Sequence, residues 1–460
     1  MKVPIQKITR DANFLSLAGN LTIAFFGLVG FALLARKYPA KEFGEWMLYI
    51  SSGSLLEMFR FGITNTAIIR YLSGADHDDR FKYIGSHGLI GVVVTIGIII
   101  VLWGSLLLFH DPIQGSGYCL FFTWYPIFAL VNLPLNTAVV IMQADQKFGK
   151  ILLLKSINSV GFFCVIFLSY IYLNFTLVNL VWFQIFFTVV TSGICIYLGW
   201  DGLRYIFHAS RKTNKTLLNF GKYTTFTLIG TNLLRSADTL IISLSPLGTA
   251  AVALYSIPLK LIDLQQIPLR SFIATAFPKM SKASIRGNME ELKKVFYTYS
   301  GAMSYLFLAM SLFIFIFAGL LVLILGGKQY LGTDLITGAT TTTIVRIFAV
   351  CGILFPIETM AGVCLDSINR PNRNFQKVMY MTLANIIGDL IAVFVFKSLE
   401  AVALVSFFVT FMGVWIGSHF VSKELNLNYF KILTAGIDFY KSAYAKIRNG
   451  TQYQPENKTI

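Results

Sequence analysis

Charge is the scarcest thing in this sequence. Only 13% of its 460 residues are Asp, Glu, Lys or Arg, about half of the roughly 25% usual in soluble domains. Cysteine and histidine are rarer still, five of each. Cys119, Cys164, Cys195, Cys351 and Cys364 lie scattered in or beside apolar runs, without metal-ligand spacing, and read as buried, inert thiols. His77, His87, His110, His208 and His419 are dispersed through loops and span edges. With no His–acid pair, no nucleophile motif and no large loop to hold one, the sequence argues against a membrane-embedded polymerase or acyltransferase. No metal site and no bound cofactor are expected.

Long polar connections are also missing, so there is no room for a separate soluble domain. The N-terminus, MKVPIQKITRDANFLSLAGN, lacks a short apolar core followed by a small-residue cleavage site. Residues 14–35 therefore read as a retained first span rather than a signal peptide.

Apolar length is abundant. Runs such as HGLIGVVVTIGIIIVLWGSLLLF (87–109) and FLAMSLFIFIFAGLLVLILGG (307–327) exceed the roughly 18 residues that mark a membrane-spanning helix. The expectation is an all-α integral membrane protein with about twelve transmembrane helices. They fall near 14–35, 44–70, 83–109, 118–143, 151–172, 177–199, 220–245, 250–278, 296–326, 336–365, 375–397 and 401–421. The longest basic connection divides them into two six-helix bundles, residues 1–200 and 220–421, joined by a connector over 201–219. A weak internal echo supports repeated halves, a common feature of transporters: Tyr49 precedes Glu57 by eight residues, and Tyr255 precedes Asp263 by eight. An amphipathic tail, 422–460, is expected to lie on the cytoplasmic leaflet.

With the N-terminus placed in the cytoplasm, about 27 of the Lys and Arg fall on that side, about five outside and about six within spans. Both termini are thus expected to be cytoplasmic. The net charge of +16 is mostly topology, suited to anionic membrane lipid and not to nucleic acid.

The few charges inside the spans are the informative ones, since each costs roughly 2.5–3.5 kcal/mol at the bilayer centre. In YSIPLKLIDLQQIPLRSF (255–272), Lys260, Asp263, Ile267 and Arg270 fall on one helical stripe, while Pro258 and Pro268 favour a bend. The second span carries Glu57 and Arg60, the seventh Arg235 and Asp238 with Asn232 beside them, the tenth Arg346 and Glu358, and the eleventh Asp389. Lys155 sits near the end of the fifth span, where it can snorkel. Asn20, Asn132 and Asn136 are further deep polar positions, equally suited to bonding between helices. Acid–base pairs three residues apart could be self-neutralising helix locks. Arg270 and Arg346 have no nearby acid within their own helix, so the set points to a water-filled cationic cavity that receives an anionic group. The bidentate fork of arginine suits phosphate. Candidate substrate-binding residues are Arg60, Arg235, Lys260, Arg270 and Arg346. Glu57, Asp238, Asp263 and Asp389 are candidates either to bind a coupling H⁺ or Na⁺ or to hold the neighbouring bases in place.

The stretches LLARKYPAKEFGEWMLYIS (33–51) and ADTLIISLSPLGTAAVALYSIPLKLIDLQQIPLRSFIATAFPKMSK (237–282) resemble the polysaccharide-type flippases of the multidrug/oligosaccharidyl-lipid/polysaccharide exporter superfamily. Asp238, Tyr255, Lys260 and Pro278 fall at positions typical of that family. The resemblance implies two bundles that rock around a central cavity and pass polyprenyl-diphosphate-linked oligosaccharides across the bacterial inner membrane. Such a flippase would work alongside polysaccharide assembly machinery, as in O-antigen or lipopolysaccharide synthesis, with no covalent chemistry. The tail after 421 is amphipathic rather than spanning, which departs from the fourteen-span peptidoglycan-precursor type. The alternatives are a cation-coupled multidrug antiporter, which calls for an acidic cavity, and a membrane-embedded polysaccharide polymerase.

Overall fold

In a computed structural model of the protein, residues 12–72, 77–332, 341–428 and 430–448 are described. Helices dominate them, and every expected span coincides with a helix or a broken pair of helices. Seven described helices are long and apolar enough to cross a membrane: Asp79–Leu108, Cys119–Ala144, Phe148–Ile171, Leu177–Tyr197, Met289–Ile316, Pro371–Phe394 and Leu399–Leu425. The remaining spans are helical for a different reason. Ala40–Leu72, Arg211–Ser243 and Gly248–Ile285 contain the Glu57/Arg60, Arg235/Asp238 and Lys260/Asp263/Arg270 sets, so their charge lowers their apolarity without breaking the backbone. The first span is Ala12–Lys37.

Two spans are interrupted. The ninth divides into Met289–Ile316 and Ala318–Gly326. The tenth divides into Thr341–Gly352 and Phe355–Ser367, which meet at a bend of 44°. Pro356 lies in the first turn of the second piece, where its missing N–H costs nothing, whereas a continuous helix would lose a bond there. By contrast, Pro258, Pro268 and Pro278 all lie inside the continuous helix Gly248–Ile285.

The chain forms two compact units. One comprises residues 1–257, 322–341 and 389–399; the other comprises 258–321, 342–388 and 400–460. Their boundaries fall within helices, whereas the sequence-based division was drawn at the connector 201–219, which lies inside the first unit. In that unit, Gly44 of EFGEW packs directly against the backbone carbonyl of Thr249 in LGTAA. The two segments that carry the sequence resemblance are therefore in contact, at a point where any Cβ would collide with backbone. Between the fourth and fifth spans, Asp145 pairs with Arg80 and with Lys147, the latter at 2.7 Å. Burial alone would raise this carboxyl's pKa, but hydrogen bonds from Lys147 and Arg80 outweigh it and hold the group below the usual carboxylate range.

In the second unit the tail helix, Phe430–Arg448, packs along Met289–Ile316. The expected amphipathic tail is thus a helix with a protein partner along part of its length. Ile432 is buried in the unit's core, Tyr440 donates to the carbonyl of Ala302 at 2.8 Å, and Gly301 and Gly436 bring the two backbones together. Leu433, Ile437 and Tyr444 remain exposed. A Gly436→Val substitution should separate the helices and cost about 1–3 kcal/mol by overpacking; faster trypsin cleavage within the tail would register the loss. The thiols divide likewise: Cys195, Cys351 and Cys364 are buried as expected, but Cys164 is exposed.

Candidate functional site

The first unit holds two polar clusters. In one, Arg60 Nη1 donates to Glu57 Oε1 at 2.6 Å, a geometry set by their three-residue spacing on one helix. Tyr125 donates to the same oxygen at 2.8 Å, and the amides of Asn132 and Asn136 each donate to Oε2 at 3.2 Å. Asn132 and Asn136 are four apart, so the fourth span turns both toward Glu57. The two asparagines, not singled out as site residues from sequence, are thus joined to the pair that was. Arg60 has no exposed side-chain surface, and its guanidinium lies 4.3 Å from the Phe61 ring. Its Nε and Nη2 find no partner among the described residues. A buried guanidinium paired with Glu57 and with two unsatisfied donors among the described residues retains capacity for an acceptor.

The second cluster joins the seventh, eighth and eleventh spans. Tyr255 donates to Asp238 Oδ2 at 2.7 Å, and the Asp238 and Asp389 side chains are in hydrogen-bond contact with each other. Both acids are buried. Two carboxyl groups in contact need a shared proton or a cation between them, because bare carboxylates repel. Tyr255 and Asp238 were both legible as positions; their bond to each other and to Asp389 was not. The side chains of Arg235, Asn232 and Asn20 lie outside the described residues.

In the second unit, Lys260 and Asp263 are half-buried and each has a partner. Arg270 is exposed on the same helix. Arg346 is also exposed, with its guanidinium 5.7 Å from the Phe315 ring centroid. Neither arginine has a carboxylate within ion-pair distance among the described residues. Glu358, which shares the tenth span with Arg346, pairs elsewhere. Lys377 Nζ donates to Glu358 Oε1 at 2.6 Å and to the Glu358 carbonyl at 3.1 Å. Sequence reading missed this lysine because it ends the basic stretch NRPNRNFQK. The available signal was small residues: Gly362 and Gly417 leave the space through which the Lys377 side chain reaches its buried position. Lys155, assigned from sequence to snorkelling, lines an open cavity of the first unit.

Among the described residues, the helical order with its broken ninth and tenth spans is that of a polytopic all-α membrane protein. The sequence profile of the family described as polysaccharide biosynthesis protein matches residues 9–284, and the chain belongs to that family. It is similar in fold to a lipid II flippase, MurJ, in an inward closed conformation, with a TM-score of 0.69 and 14% identity over 96% of this chain and 93% of that one. It is also similar to an inward-facing multidrug resistance MATE family transporter of the MOP superfamily, with a TM-score of 0.66 and 15% identity over 93% and 95%. A MOP superfamily transporter from Pyrococcus furiosus, described as having a binding pocket of reverse polarity, aligns with a TM-score of 0.55 and 15% identity over 93% and 100%. These neighbours are flippases and transporters rather than enzymes. No curated protein is significantly similar in sequence.

Proposed function

We propose that the chain is a flippase for polyprenyl-diphosphate-linked oligosaccharide repeat units, working by alternating access in the bacterial inner membrane with both termini in the cytoplasm. The observation that carries this reading is the pair of exposed span arginines, Arg270 and Arg346, without a described carboxylate partner. An uncompensated cation at membrane depth is rare and marks a wet path, and guanidinium recognises the oxygens of a diphosphate in bidentate fashion. A multidrug antiporter that binds cations would be opposed by the same charges. Membership of the polysaccharide biosynthesis family supports a sugar-bearing cargo and a place beside polysaccharide assembly machinery.

The test is leaflet translocation of a polyprenyl-diphosphate oligosaccharide in proteoliposomes. Arg270→Ala and Arg346→Ala should each fold normally and slow transport at least about tenfold, corresponding to roughly 1.4 kcal/mol of lost cargo stabilisation. Unchanged transport in both variants sinks the cationic-path reading. Asp238 and Asp389 are assigned to the coupling cation, H⁺ or Na⁺. Glu57 and Asp263 are assigned to charge balance, and Arg60, Arg235 and Lys260 are further candidate cargo-binding residues.

A further inference from the structure

In the first unit, residues of the first, fourth, fifth and sixth spans line an open cavity of about 300 Å³. This lies at the small end of ligand sites, roughly 300–1,000 Å³, and suits one sugar ring rather than an oligosaccharide. We propose that this cavity is a subsite for a single carboxylate-bearing sugar unit; the inference rests on the sugar-lipid cargo proposed above and adds the chemistry of one of its residues.

Three features of the wall select that ligand. The first is charge. Lys155 lines the cavity and has no ion-pair or hydrogen-bond partner for its ammonium among the described residues. The cavity wall contains no carboxylate. The nearest described acid joined to it is Glu57, reached through Asn132 and already bonded to Arg60. The cavity therefore has an unanswered positive charge, which a ligand carboxylate would meet.

The second feature is a surplus of acceptors. The hydroxyl of Ser159 donates to the Lys155 carbonyl and that of Thr188 to the Gln184 carbonyl, each at 2.8 Å. Asn158 donates its amide to Thr191 at 3.0 Å. Each of these hydroxyls spends its one donor on the protein and Asn158 spends one of its two amide N–H groups, while the oxygen lone pairs of Ser159, Thr188 and Asn158 remain for a ligand. Gln184 Oε1 is buried and has no partner among the described residues. A halide or a simple carboxylate ion brings no donor to these oxygens. Sugar hydroxyls do.

The third feature is apolar surface at fixed places. Phe162 and Phe187 both line the cavity. Phe162 is stacked on Trp46 with centroids 6.0 Å apart, and Phe187 rests against Gly161, where a Cβ would strike its ring. These two rings give the wall apolar surface that suits the C–H side of a pyranose.

The experiment is isothermal titration of the purified full-length protein with sodium glucuronate, glucose and sodium acetate at constant ionic strength. Saturable glucuronate binding is expected, with glucose and acetate each weaker by about tenfold or more. Lys155→Met should remove that preference over glucose, Lys155→Arg should keep it, and Gln184→Leu should weaken glucuronate and glucose alike. The wild-type ligand order stands as a test even if a variant fails to fold. Acetate binding as tightly as glucuronate would reduce the cavity to a simple anion site. Equal binding of glucose, unaltered binding by Lys155→Met, or no saturable binding would overturn the assignment. Any of those results beside intact lipid-linked transport removes the subsite alone; absent transport with normal glucuronate binding removes the broader function instead.

Discussion

Arg60→Ala should give the largest single loss in this protein, in both stability and transport. Removing one member of a buried ion pair typically costs about 3–5 kcal/mol, because the remaining charge is left without its counterion. Here that charge is Glu57, which would keep only the neutral donors Tyr125, Asn132 and Asn136. A thermal unfolding midpoint measured in detergent should therefore fall sharply. Stability alone does not decide the role of Arg60, so the double substitution Glu57→Gln/Arg60→Met is the sharper comparison. It removes both charges, preserves side-chain volume and retains an acceptor for the Tyr125 hydroxyl. The double variant should recover most of the stability lost by Arg60→Ala. If the two open guanidinium nitrogens serve the cargo, transport should remain depressed at least about tenfold even in this stable protein. Recovery of stability and transport together would leave Arg60 as an internal lock between charges on one helix.

The layout of the spans was written plainly in the chain, because apolar runs of membrane-spanning length have few other uses in a sequence so poor in charge. Rarity also singled out Glu57, Arg60, Asp238 and Asp389, which the structure places in two polar clusters. Their partners were hidden for a physical reason. Period and spacing report neighbours on one helix, such as Glu57 and Arg60, but not contacts between helices. Glu358 and Lys377 are 19 residues apart and meet only because Gly362 and Gly417 leave space for the lysine stem. Asn132 and Asn136 looked like any polar residues between packed helices until the fourth span placed both beside Glu57. Lys155 was legible only as a lysine near a helix end that can snorkel, because nothing local to its own helix reports that it lines a cavity. The tail shows the same limit. Its amphipathic period was visible, but its apolar stripe is shared between exposed residues such as Leu433 and the core residue Ile432, a division decided by the close approach of Gly436 to Gly301.

The remaining large effect should come from Asp389. Asp389→Asn retains size and an acceptor oxygen but removes one of the two carboxyl groups that meet at the Asp238–Asp389 contact. If that contact holds the coupling cation, the substitution should slow gradient-driven transport by at least about tenfold while leaving gradient-independent equilibration of the sugar-lipid between leaflets much less affected. The ion can be identified in the wild type by imposing a Na⁺ gradient at equal pH and then a pH gradient at equal Na⁺; only the productive gradient should accelerate translocation, and Asp389→Asn should flatten that response. Asp238→Asn should act in the same direction with an added structural cost, because Asp238 also accepts the 2.7 Å hydrogen bond from Tyr255. Tyr255→Phe separates these contributions: it removes the hydroxyl donor but leaves both carboxyl groups, so the choice of driving ion should persist even if the rate falls. A gradient response unchanged in both aspartate variants would mean that the carboxyl pair only balances charge and anchors Tyr255, and that the driving cation binds elsewhere. Loss of the response in both, with folding intact, would tie energy input to the contact between the seventh and eleventh spans.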